Sequence, residues 1–413
     1  MKTENVTVLG AGIVGICSAL SLQQRGCAVT LIDKSDPCTA ASFGNAGTIS
    51  PWSIVPQSVP GIWKKIPKML LSPEGALGLD PKYAIQYLPW LLRFLRSSNA
   101  EVATKLSDAM HFLCKDCIQL YRAHLSGTGS EGLLRDSYYV LVHENPDNAR
   151  MDGFGIHLRL LKGAEIEKID QQQLRQLEPC ISDKYRAALV IKGQSRALDP
   201  AGIGGALFQK FLRNGGHFTQ EKVHKIYARD NNSVTLSGVG NHVVTKKLVI
   251  TAGAWSAQLL SGLGINIPLA AERGYHLSFP DHGININHSI MDVENHVILS
   301  QMNHGVRIAG IAEFSGLDRP EKTGYYSTLK QLASRLAPGI NTQNESRWMG
   351  VRPSFPDSLP VIDRIEQIPA IYVAFGHSHY GLMMAPKTGE EVANLVTASA
   401  NASSESPYRI SRF

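Results

Sequence analysis

The segment NVTVLGAGIVGICSALSLQQRGCAVTLIDK, residues 5–34, limits the possible folds of this chain more than any other stretch. In order, it reads as an apolar strand (residues 6–9), three glycines (Gly10, Gly12 and Gly15), a helix that continues through Gln24, and a second strand (residues 28–32) that ends on Asp33. Glycines at this spacing allow a tight turn, close approach of the backbone to a pyrophosphate and close packing of helix on strand. The helix N-terminus supplies N–H groups and a positive dipole to the phosphates. The segment therefore predicts a dinucleotide-binding α/β unit.

Asp33 adds detail about the dinucleotide. An acidic side chain at this point accepts hydrogen bonds from a ribose 2′-hydroxyl, and it disfavours a cofactor that carries a 2′-phosphate. The motif alone does not separate FAD from NAD, so both remain open at this point.

Length and composition describe an ordinary globular protein. The chain has 413 residues, 43% hydrophobic and 18% charged, and about two domains are expected at this length. The N-terminus enters a strand pattern at once, which leaves no room for a secretory signal, and no apolar run approaches the roughly 20 residues of a membrane span. Six cysteines without framework spacing suit a reducing compartment. We therefore expect a cytoplasmic protein.

Neither a metal nor a nucleic acid is predicted as a partner. Cys114 and Cys117 form the only CxxC pair, and without a second pair or a nearby His pair we expect buried helix thiols rather than zinc ligands. The formal net charge is +6, from 41 basic against 35 acidic residues. No RNA- or DNA-binding signature accompanies this excess.

Three later stretches bear on the choice of dinucleotide. CTAASFGNAGTIS (residues 38–50) is a loop of small residues, KKLVITAGAWSAQLL (246–260) is a buried strand that ends in small residues, and FGHSHYGLMMAPKTGEEVANLV (375–396) leads from a glycine-bounded turn into a helix. Together with the N-terminal motif, these stretches resemble the D-amino acid oxidase superfamily of FAD-dependent enzymes. SFGNAG, RPSFPDSLPVI and a GHxxxGxxxAPxTG pattern resemble the bacterial D-amino acid dehydrogenase branch in particular, over nearly the whole chain.

The resemblance implies an α/β fold of the glutathione-reductase type, with a Rossmann-like FAD-binding domain and an α+β substrate domain that contains a large mixed sheet. We expect the FAD-binding domain to be discontinuous, built from residues 1–90, 190–270 and 345–413. The substrate domain would comprise residues 91–189 and 271–344.

The resemblance also implies which residues hold FAD. The pyrophosphate would lie along Gly10, Ala11, Gly12, Ile13, Val14 and Gly15, the adenosine ribose against Asp33 and Lys34, and the phosphates and flavin edge along Ser42, Asn45, Ala46 and Gly47. The adenine would contact Val223, further backbone approach is expected at Ala252 and Gly253, and the isoalloxazine would lie beside Gly376, His377, Gly381, Leu382, Met383 and Thr388. A helix that begins near Gly381 would stabilise negative charge on the reduced flavin.

The arginine of Gly-Val-Arg-Pro, Arg352, matches the residue that clamps the substrate carboxylate in the family. A planar guanidinium matches a carboxylate bidentately and fixes the orientation of the α-carbon, which a lysine does not do. The alternative is a structural pair between Arg352 and Asp357 or Asp363.

Four further residues are candidates for the substrate site. Strand alternation in AERGYHLSF places Arg273 and Tyr275 on one face, where Tyr275 would support the carboxylate; the alternative for Arg273 is a pair with Glu272 or an exposed edge charge. His379 and Tyr380, in the turn beside the flavin, are the other two, although such a histidine often has a purely structural role.

The implied reaction is oxidative deamination of a D-amino acid to a 2-oxo acid, by hydride transfer to flavin N5, with electrons passed to a quinone-type acceptor. No obligatory general base is needed, because the flavin supplies the redox chemistry. A sarcosine, glycine or D-hydroxyproline oxidase remains an alternative, as does a flavin-binding subunit of a heteromeric dehydrogenase without its own turnover.

Residues 51–98 form a basic insert with three of the five tryptophans: Trp52, Trp63 and Trp90. Prolines rule out one long helix, and indoles and cations beside leucines suit the headgroup region of an anionic bilayer. The resemblance likewise implies peripheral contact with the cytoplasmic membrane. The alternative is that these residues pack inside the substrate domain.

Overall fold

The computed structural model describes residues 4–64, 66–71, 77–229, 232–398 and 406–413. The strands are β1 (Asn5–Leu9), β2 (Ala28–Asp33), β3 (Thr48–Ile49), β4 (Leu77–Leu79), β5 (Leu134–His143), β6 (Ile166–Asp170), β7 (Ala187–Ala197), β8 (His217–Gln220), β9 (Lys225–Arg229), β10 (Ser233–Ser237), β11 (His242–Thr245), β12 (Leu248–Ile250), β13 (Ala270–Phe279), β14 (Ser289–Asp292), β15 (Val297–Met302), β16 (Gly305–Phe314), β17 (Ser346–Ser354), β18 (Val361–Arg364) and β19 (Ile371–Phe375). The helices are α1 (Ile13–Gln24), α2 (Ile66–Leu71), α3 (Ala84–Arg96), α4 (Ala100–Cys114), α5 (Cys117–Leu125), α6 (Phe154–Leu161), α7 (Gln171–Leu177), α8 (Pro200–Arg213), α9 (Ser256–Ser261), α10 (Gly324–Leu336) and α11 (Gly381–Thr397).

A six-stranded sheet forms the dinucleotide-binding layer. Its order is β18-β19-β12-β1-β2-β8, with every neighbouring pair parallel except β18 and β19. Helices α1 and α11 pack against each other so closely that a Cβ on Gly389 would lie 2.6 Å from the carbonyl oxygen of Cys17. The β1-α1-β2 unit matches the predicted boundaries to within a residue.

A larger mixed sheet forms the second layer. Its order is β17-β13-β16-β15-β14-β5-β7-β3, with β4 added to β16 and β6 to β7. Most pairs are antiparallel, whereas β14–β5 and β16–β4 are parallel. Helix α10 packs its buried side chains, among them Leu329 and Leu336, with apolar residues of this sheet in one hydrophobic core. The large mixed sheet implied by the sequence is therefore confirmed.

Sheet membership cuts across the expected domain boundaries. Strand β17 and most of β7 lie within segments assigned from the sequence to the FAD-binding domain, yet both are hydrogen-bonded in the large sheet. Strands β3 and β4 likewise cross from the first segment to that sheet. The division into two domains with those boundaries remains a prediction.

The described residues of the basic insert include the helices α2 and α3 and the short strand β4. Helices α2 and α3 are separate, as the prolines require, but Pro89 lies inside α3 and does not end it. Cys114 and Cys117 lie at the junction of α4 and α5, both buried, and the described residues contain no cluster suited to a metal. None of the described helices is both long enough and apolar enough to cross a membrane.

Candidate active site and cofactor cleft

A cavity of about 1300 Å³ runs from the C-terminal ends of β1, β2, β12 and β19 to one face of the large sheet. It brings together most of the residues singled out from the sequence. Those that line it are Gly10, Ala11, Gly12, Ile13, Val14, Asp33, Lys34, Ser42, Asn45, Ala46, Val223, Ala252, Gly253, Arg352, Gly376, His377, His379, Tyr380, Gly381, Leu382 and Met383. Gly15, Gly47, Thr388, Arg273 and Tyr275 do not line it.

The three glycines of the first motif do different things. Gly10 has φ +117°, and a Cβ there would lie 2.5 Å from the carbonyl oxygen of Thr251, so only glycine fits. Gly15 lies against β1: its Cβ would overlap the carbonyl oxygen of Gly10. Gly12 is open, because a Cβ there would meet only the Ser42 Oγ, at 3.6 Å. Gly12 alone of the three therefore leaves room for a ligand.

The N-terminus of α1 faces the cavity as a positive dipole end. Its first turn carries no acidic residue. The Ser42 Oγ accepts a hydrogen bond from the N–H of Ile13 at 3.1 Å, and Asp33 accepts from Ala11 at 2.6 Å and from Ser35 at 3.0 Å. These bonds fix the glycine loop, and the first turn of the helix carries no acidic side chain of its own, which suits a pyrophosphate.

The loop of residues 42–47 is held from the large sheet. Arg307, on β16, donates from Nη1 to the carbonyl oxygens of Phe43 (2.9 Å) and Asn45 (2.7 Å). The Asn45 side chain accepts from the N–H of Gly47 at 2.8 Å. Gly47 itself packs against β7, where a Cβ would lie 2.5 Å from the carbonyl oxygen of Ala197. Its expected position along the cofactor is therefore corrected: Gly47 joins the loop to the sheet.

The C-terminal stretch brings a second helix N-terminus to the cavity. Helix α11 begins at Gly381 without an acid in its first turn or a side-chain cap, and Gly381, Leu382 and Met383 line the cavity. His377 is buried, its Nε2 lies 3.0 Å from the Thr388 Oγ1, and burial lowers its pKa to about 3. Thr388 is fully buried behind His377. Thr388 therefore supports His377 and does not itself line the cavity, and its place beside the isoalloxazine stays a prediction.

The cleft fits a bound dinucleotide with a negatively charged middle and an electron-accepting end. Two helix N-termini, both without acidic side chains in the first turn, open into one cavity. The surface above Gly12 is open, and a Cβ on Gly253 would meet no heavy atom within 4 Å. Lys34, which is predicted to contact the adenosine ribose, has its Nζ 3.6 Å from the ring centre of Trp255. Burial lowers the pKa of Lys34.

Arg352 lies on β17 directly opposite Glu272 on β13. Its Nη1 donates to Glu272 at 2.7 Å and to the carbonyl oxygen of Ile311 at 3.2 Å. The described residues provide no hydrogen-bond acceptor for its Nη2 and Nε, the edge that a carboxylate binds side-on. The guanidinium passes over Gly274, where a Cβ would overlap it. Arg352 thus lines the cavity with its guanidinium held by one buried carboxylate.

Glu272 is ionised and firmly placed. Burial alone would raise its pKa, but the Arg352 guanidinium, with smaller contributions from His379 and the Ser354 hydroxyl, holds the pKa below its ordinary value. Ser354 donates to its second oxygen at 2.5 Å. The alternative partners of Arg352 are engaged elsewhere: Asp357 accepts from Arg412 at 2.7 Å, and Asp363 accepts from the N–H of Ile410 at 2.9 Å.

Arg273 and Tyr275 share a face of β13, as alternation requires, but it is the face away from the cavity. Arg273 is fully buried, donates to Ser315 at 3.2 Å and lies 3.6 Å from Glu313. Tyr275 donates to Glu313 at 2.6 Å. Their expected contact with the substrate is therefore corrected, and so is the alternative pairing of Arg273 with Glu272. The cavity face of β13 carries Glu272 instead.

His379 and Tyr380 lie between the second helix N-terminus and the large sheet. His379 has its Nδ1 3.1 Å from the Gln57 Nε2, and burial lowers its pKa to about 4. Tyr380 donates to the carbonyl oxygen of Val55 at 2.8 Å, and burial raises its pKa. Both side chains are neutral at ordinary pH. The charged groups beside this turn are therefore Arg352 and Glu272, which pair with each other.

The tryptophans of the basic insert differ in environment: two are packed inside the protein and one is exposed. Trp90 is buried and donates to the carbonyl oxygen of Ser354 at 3.0 Å, and Trp52 donates to that of Lys192 at 3.2 Å. Trp63 is 58% exposed. On α3, residues 87, 90, 91 and 94 line the cavity, while Ile85, Leu88, Leu92 and Leu95 are exposed. The insert is therefore both a wall of the cavity and the carrier of an outer apolar face.

Gln57 and Arg159 line the cavity but were not predicted from the sequence. Glu272 was considered only as a partner of Arg273, and its contact with Arg352 was not predicted. Gly274 offered a signal, because a glycine inside a strand often marks close approach of another group. Gln57 and Arg159 had no such signal, since their place depends on the packing of segments far apart in the chain.

The fold and cleft are those of a dinucleotide-dependent oxidoreductase, with Arg352 in the wall of the same cavity. The family model "DAO: FAD dependent oxidoreductase" matches residues 5–395, so the chain belongs to this family and FAD is its cofactor. A D-amino-acid oxidase of Bradyrhizobium diazoefficiens is 31% identical over 99% of both chains. A D-amino acid dehydrogenase of the same species is 27% identical over 95% of this chain and 94% of its own. The crystal structure of an L-proline dehydrogenase from P. horikoshii has the same fold, with a TM-score of 0.75 and 20% identity over 100% of this chain and 98% of its own.

Proposed function

We propose that this protein catalyses FAD-dependent oxidative deamination of D-amino acids to 2-oxo acids. The observation that carries the proposal is Arg352, which lines the same cavity as the two helix N-termini and whose Nη2 and Nε have no acceptor among the described residues. Relatives with full-length similarity that are named D-amino-acid oxidase and D-amino acid dehydrogenase support the amino acid substrate.

The residues of the chain bind and orient, and the cofactor supplies the redox chemistry. When bound, FAD would supply the acceptor for the two electrons and the hydrogen that leave the substrate α-carbon. Arg352 holds the carboxylate through its Nη2 and Nε edge, while Glu272 fixes the rotation of the guanidinium from behind. Burial raises the pKa of Tyr380, so its neutral phenol adds no negative charge that would hold the amine protonated. The apolar wall of α3, with Trp90 and Phe94, keeps water away.

The test is an anaerobic titration of the holoprotein with D-amino acids, monitored by bleaching of the flavin absorbance. We expect Arg352→Lys to lower kcat/KM by about 100-fold or more, because lysine keeps the charge but loses the planar fork. Arg347→Lys, on the exposed part of the same strand, is the matched control and keeps full activity. Unchanged turnover and affinity in Arg352→Lys would contradict the carboxylate clamp.

A panel of secondary amines separates the main alternative. Sarcosine, glycine and proline analogues present the same carboxylate to Arg352, so bleaching by them and not by primary D-amino acids would move the assignment to an amine oxidase of that type. Flavin that is retained but bleached by no amine would indicate a subunit without its own turnover.

We further propose a quinone-type acceptor reached at a membrane surface. The exposed residues Ile85, Leu88, Leu92 and Leu95 lie on one side of α3, and the exposed Trp63 and Lys64 lie on the same insert. An apolar helix face beside cations suits the interface of an anionic bilayer. We expect the double variant Leu88→Asp/Leu92→Asp to lose sedimentation with anionic vesicles at high salt while anaerobic bleaching stays intact. Wild-type protein that stays in solution at low salt, or reacts faster with oxygen than with quinone, would contradict this.

A further inference from the structure

A second guanidinium lines the cavity and is not used by the chemistry above. Arg159, on α6, donates from Nε to the carbonyl oxygen of Trp52 at 3.0 Å and from Nη1 to that of Gly155 at 3.2 Å. These two bonds set the position of the side chain and leave Nη2 without an acceptor among the described residues.

Arg159 has no carboxylate partner in the part of the chain that the structure describes. No described Asp or Glu lies within 4 Å of it, and the groups that act on it electrostatically are the phenols of Tyr139 and Tyr380. Burial lowers its pKa. An arginine stays charged in proteins, and an unpaired charge removed from water is costly unless an anion joins it. Arg352, in contrast, has Glu272 at 2.7 Å.

One extended segment connects the surroundings of the two arginines. The carbonyl oxygen of Trp52 binds Arg159, that of Val55 binds Tyr380, and the side chain of Gln57 binds His379. The charges of Arg159 and of Glu272, the partner of Arg352, both act on the pKa of the Tyr380 phenol. Arg159, Arg352 and the His379–Tyr380 turn therefore all belong to the wall of one cavity.

The wall beside Arg159 is apolar apart from the phenol of Tyr139. Met291 and Val293 line the cavity and pack with Trp52 and Tyr139 in one hydrophobic cluster. Val55 lies against Gly155, at the base of α6. A ligand with a short methylene chain would pack against this wall. A negatively charged group at the end of that chain would have the Arg159 guanidinium as its partner.

We propose that Arg159 binds a second carboxylate, on the substrate side chain, so that the preferred substrates are dicarboxylic amino acids. This rests on the proposed function, with Arg352 holding the α-carboxylate. Selectivity then comes from the half-buried guanidinium, which is left without an anion when a neutral side chain binds.

The experiment uses the FAD-loaded protein and ligands that cannot be oxidised. Perturbation of the flavin spectrum gives the Kd of the dicarboxylates malonate, succinate and glutarate, and of the monocarboxylates acetate, propionate and butyrate. We expect one dicarboxylate to bind at least about tenfold more tightly than the monocarboxylate of the same length, as charge-assisted bonds to a second anion allow. Arg159→Met should abolish this ratio and leave monocarboxylate binding and FAD content unchanged. Arg159→Lys should retain part of it.

The controls separate the possible failures. Arg150→Met, at an exposed arginine paired with Asp152, should leave the ratio of dicarboxylate to monocarboxylate affinity unchanged. Arg352→Lys should weaken both ligand classes; if it does not, the proposed function itself fails. If the dicarboxylate preference is absent in wild-type protein, or survives Arg159→Met, the inference about Arg159 fails while the clamp stands. Loss of FAD from Arg159→Met would also overturn it and would make Arg159 part of the cofactor site. With substrates, kcat/KM for D-glutamate relative to D-glutamine should fall at least tenfold in Arg159→Met.

Discussion

Two glycines, one in each layer, show how differently the cofactor end and the substrate end of the cavity are built. Gly15 in α1 makes room for the backbone of the preceding turn, because its Cβ would overlap the carbonyl oxygen of Gly10. Gly274 in β13 makes room for the tip of a side chain, the Arg352 guanidinium. The cofactor end is shaped mainly by main-chain atoms, those of the preceding turn and of Thr251. The substrate end is shaped by side chains from distant strands.

The difference in what each glycine makes room for predicts different failures. Backbone cannot move without disturbing its hydrogen bonds, whereas a long side chain can swing away at little cost to stability. Substitution at the cofactor end should therefore damage folding, and substitution at the substrate end should damage orientation.

The largest effect is expected for Gly15→Ala. Overlap with backbone in a close-packed helix–strand contact should cost about 3–4 kcal/mol of unfolding free energy even without FAD. Gly12→Ala is the matched control: its Cβ would meet only the Ser42 Oγ at 3.6 Å, so the apoprotein should lose at most about 1 kcal/mol while FAD affinity falls. Urea unfolding of both apoproteins and FAD titration measure this. Equal destabilisation by the two variants would contradict the division of roles.

The next effect is expected for Gly274→Ala. The added methyl group displaces the guanidinium of Arg352, and a shift of about 1 Å in a positioning group can reduce kcat/KM by roughly 100-fold. The same reduction corresponds to about 2.7 kcal/mol of transition-state stabilisation. Gly350→Ala is the comparison on the partner strand, because its Cβ would meet the Trp348 ring instead. If Gly274→Ala lost thermal stability but kept a normal kcat/KM, Gly274 would serve folding and not the orientation of Arg352.

The cofactor end of the cavity was easier to predict from the sequence than the substrate end, because main-chain geometry shapes it. Gly10, Asp33 and the helix N-terminus act through local backbone geometry, which a 30-residue pattern encodes, and β1, α1 and β2 appear at the expected positions. Arg352 was found through the resemblance of its motif. Arg273 and Tyr275 were misplaced because alternation states which residues share a face and not which face meets the cavity. That choice is made by α10, which packs on the other side.

An intermediate effect is expected when the pH falls, because His377 is buried in its neutral form at the cofactor end. Burial lowers its pKa to about 3, against about 6.5 in an unfolded chain. The unfolded state therefore binds the proton first, so the contribution to stability is complete above pH 6.5 and is lost as the pH falls. At pH 5 the loss from this one group is about 2 kcal/mol. His377→Asn should remove that part of the decline between pH 8 and pH 5.

Urea unfolding of the apoprotein at a series of pH values measures this decline. His242→Asn, at an exposed position, should leave the slope of wild type unchanged. If His377→Asn has the same slope as wild type, the imidazole titrates freely in the folded protein and its burial at the cofactor end is wrong.

The smallest effect is expected for Thr388→Val, which tests whether Thr388 belongs to the cofactor cleft or to the layer behind it. Its Oγ1 lies 3.0 Å from the His377 Nε2 and is fully buried. Valine removes the hydroxyl at nearly constant volume, so the buried imidazole nitrogen loses its partner and the apoprotein should lose about 1 kcal/mol. Thr388→Ser keeps the bond and serves as the control. A direct contact with FAD would instead leave apoprotein stability nearly unchanged and lower FAD affinity, and that result would return Thr388 to the cofactor-binding set.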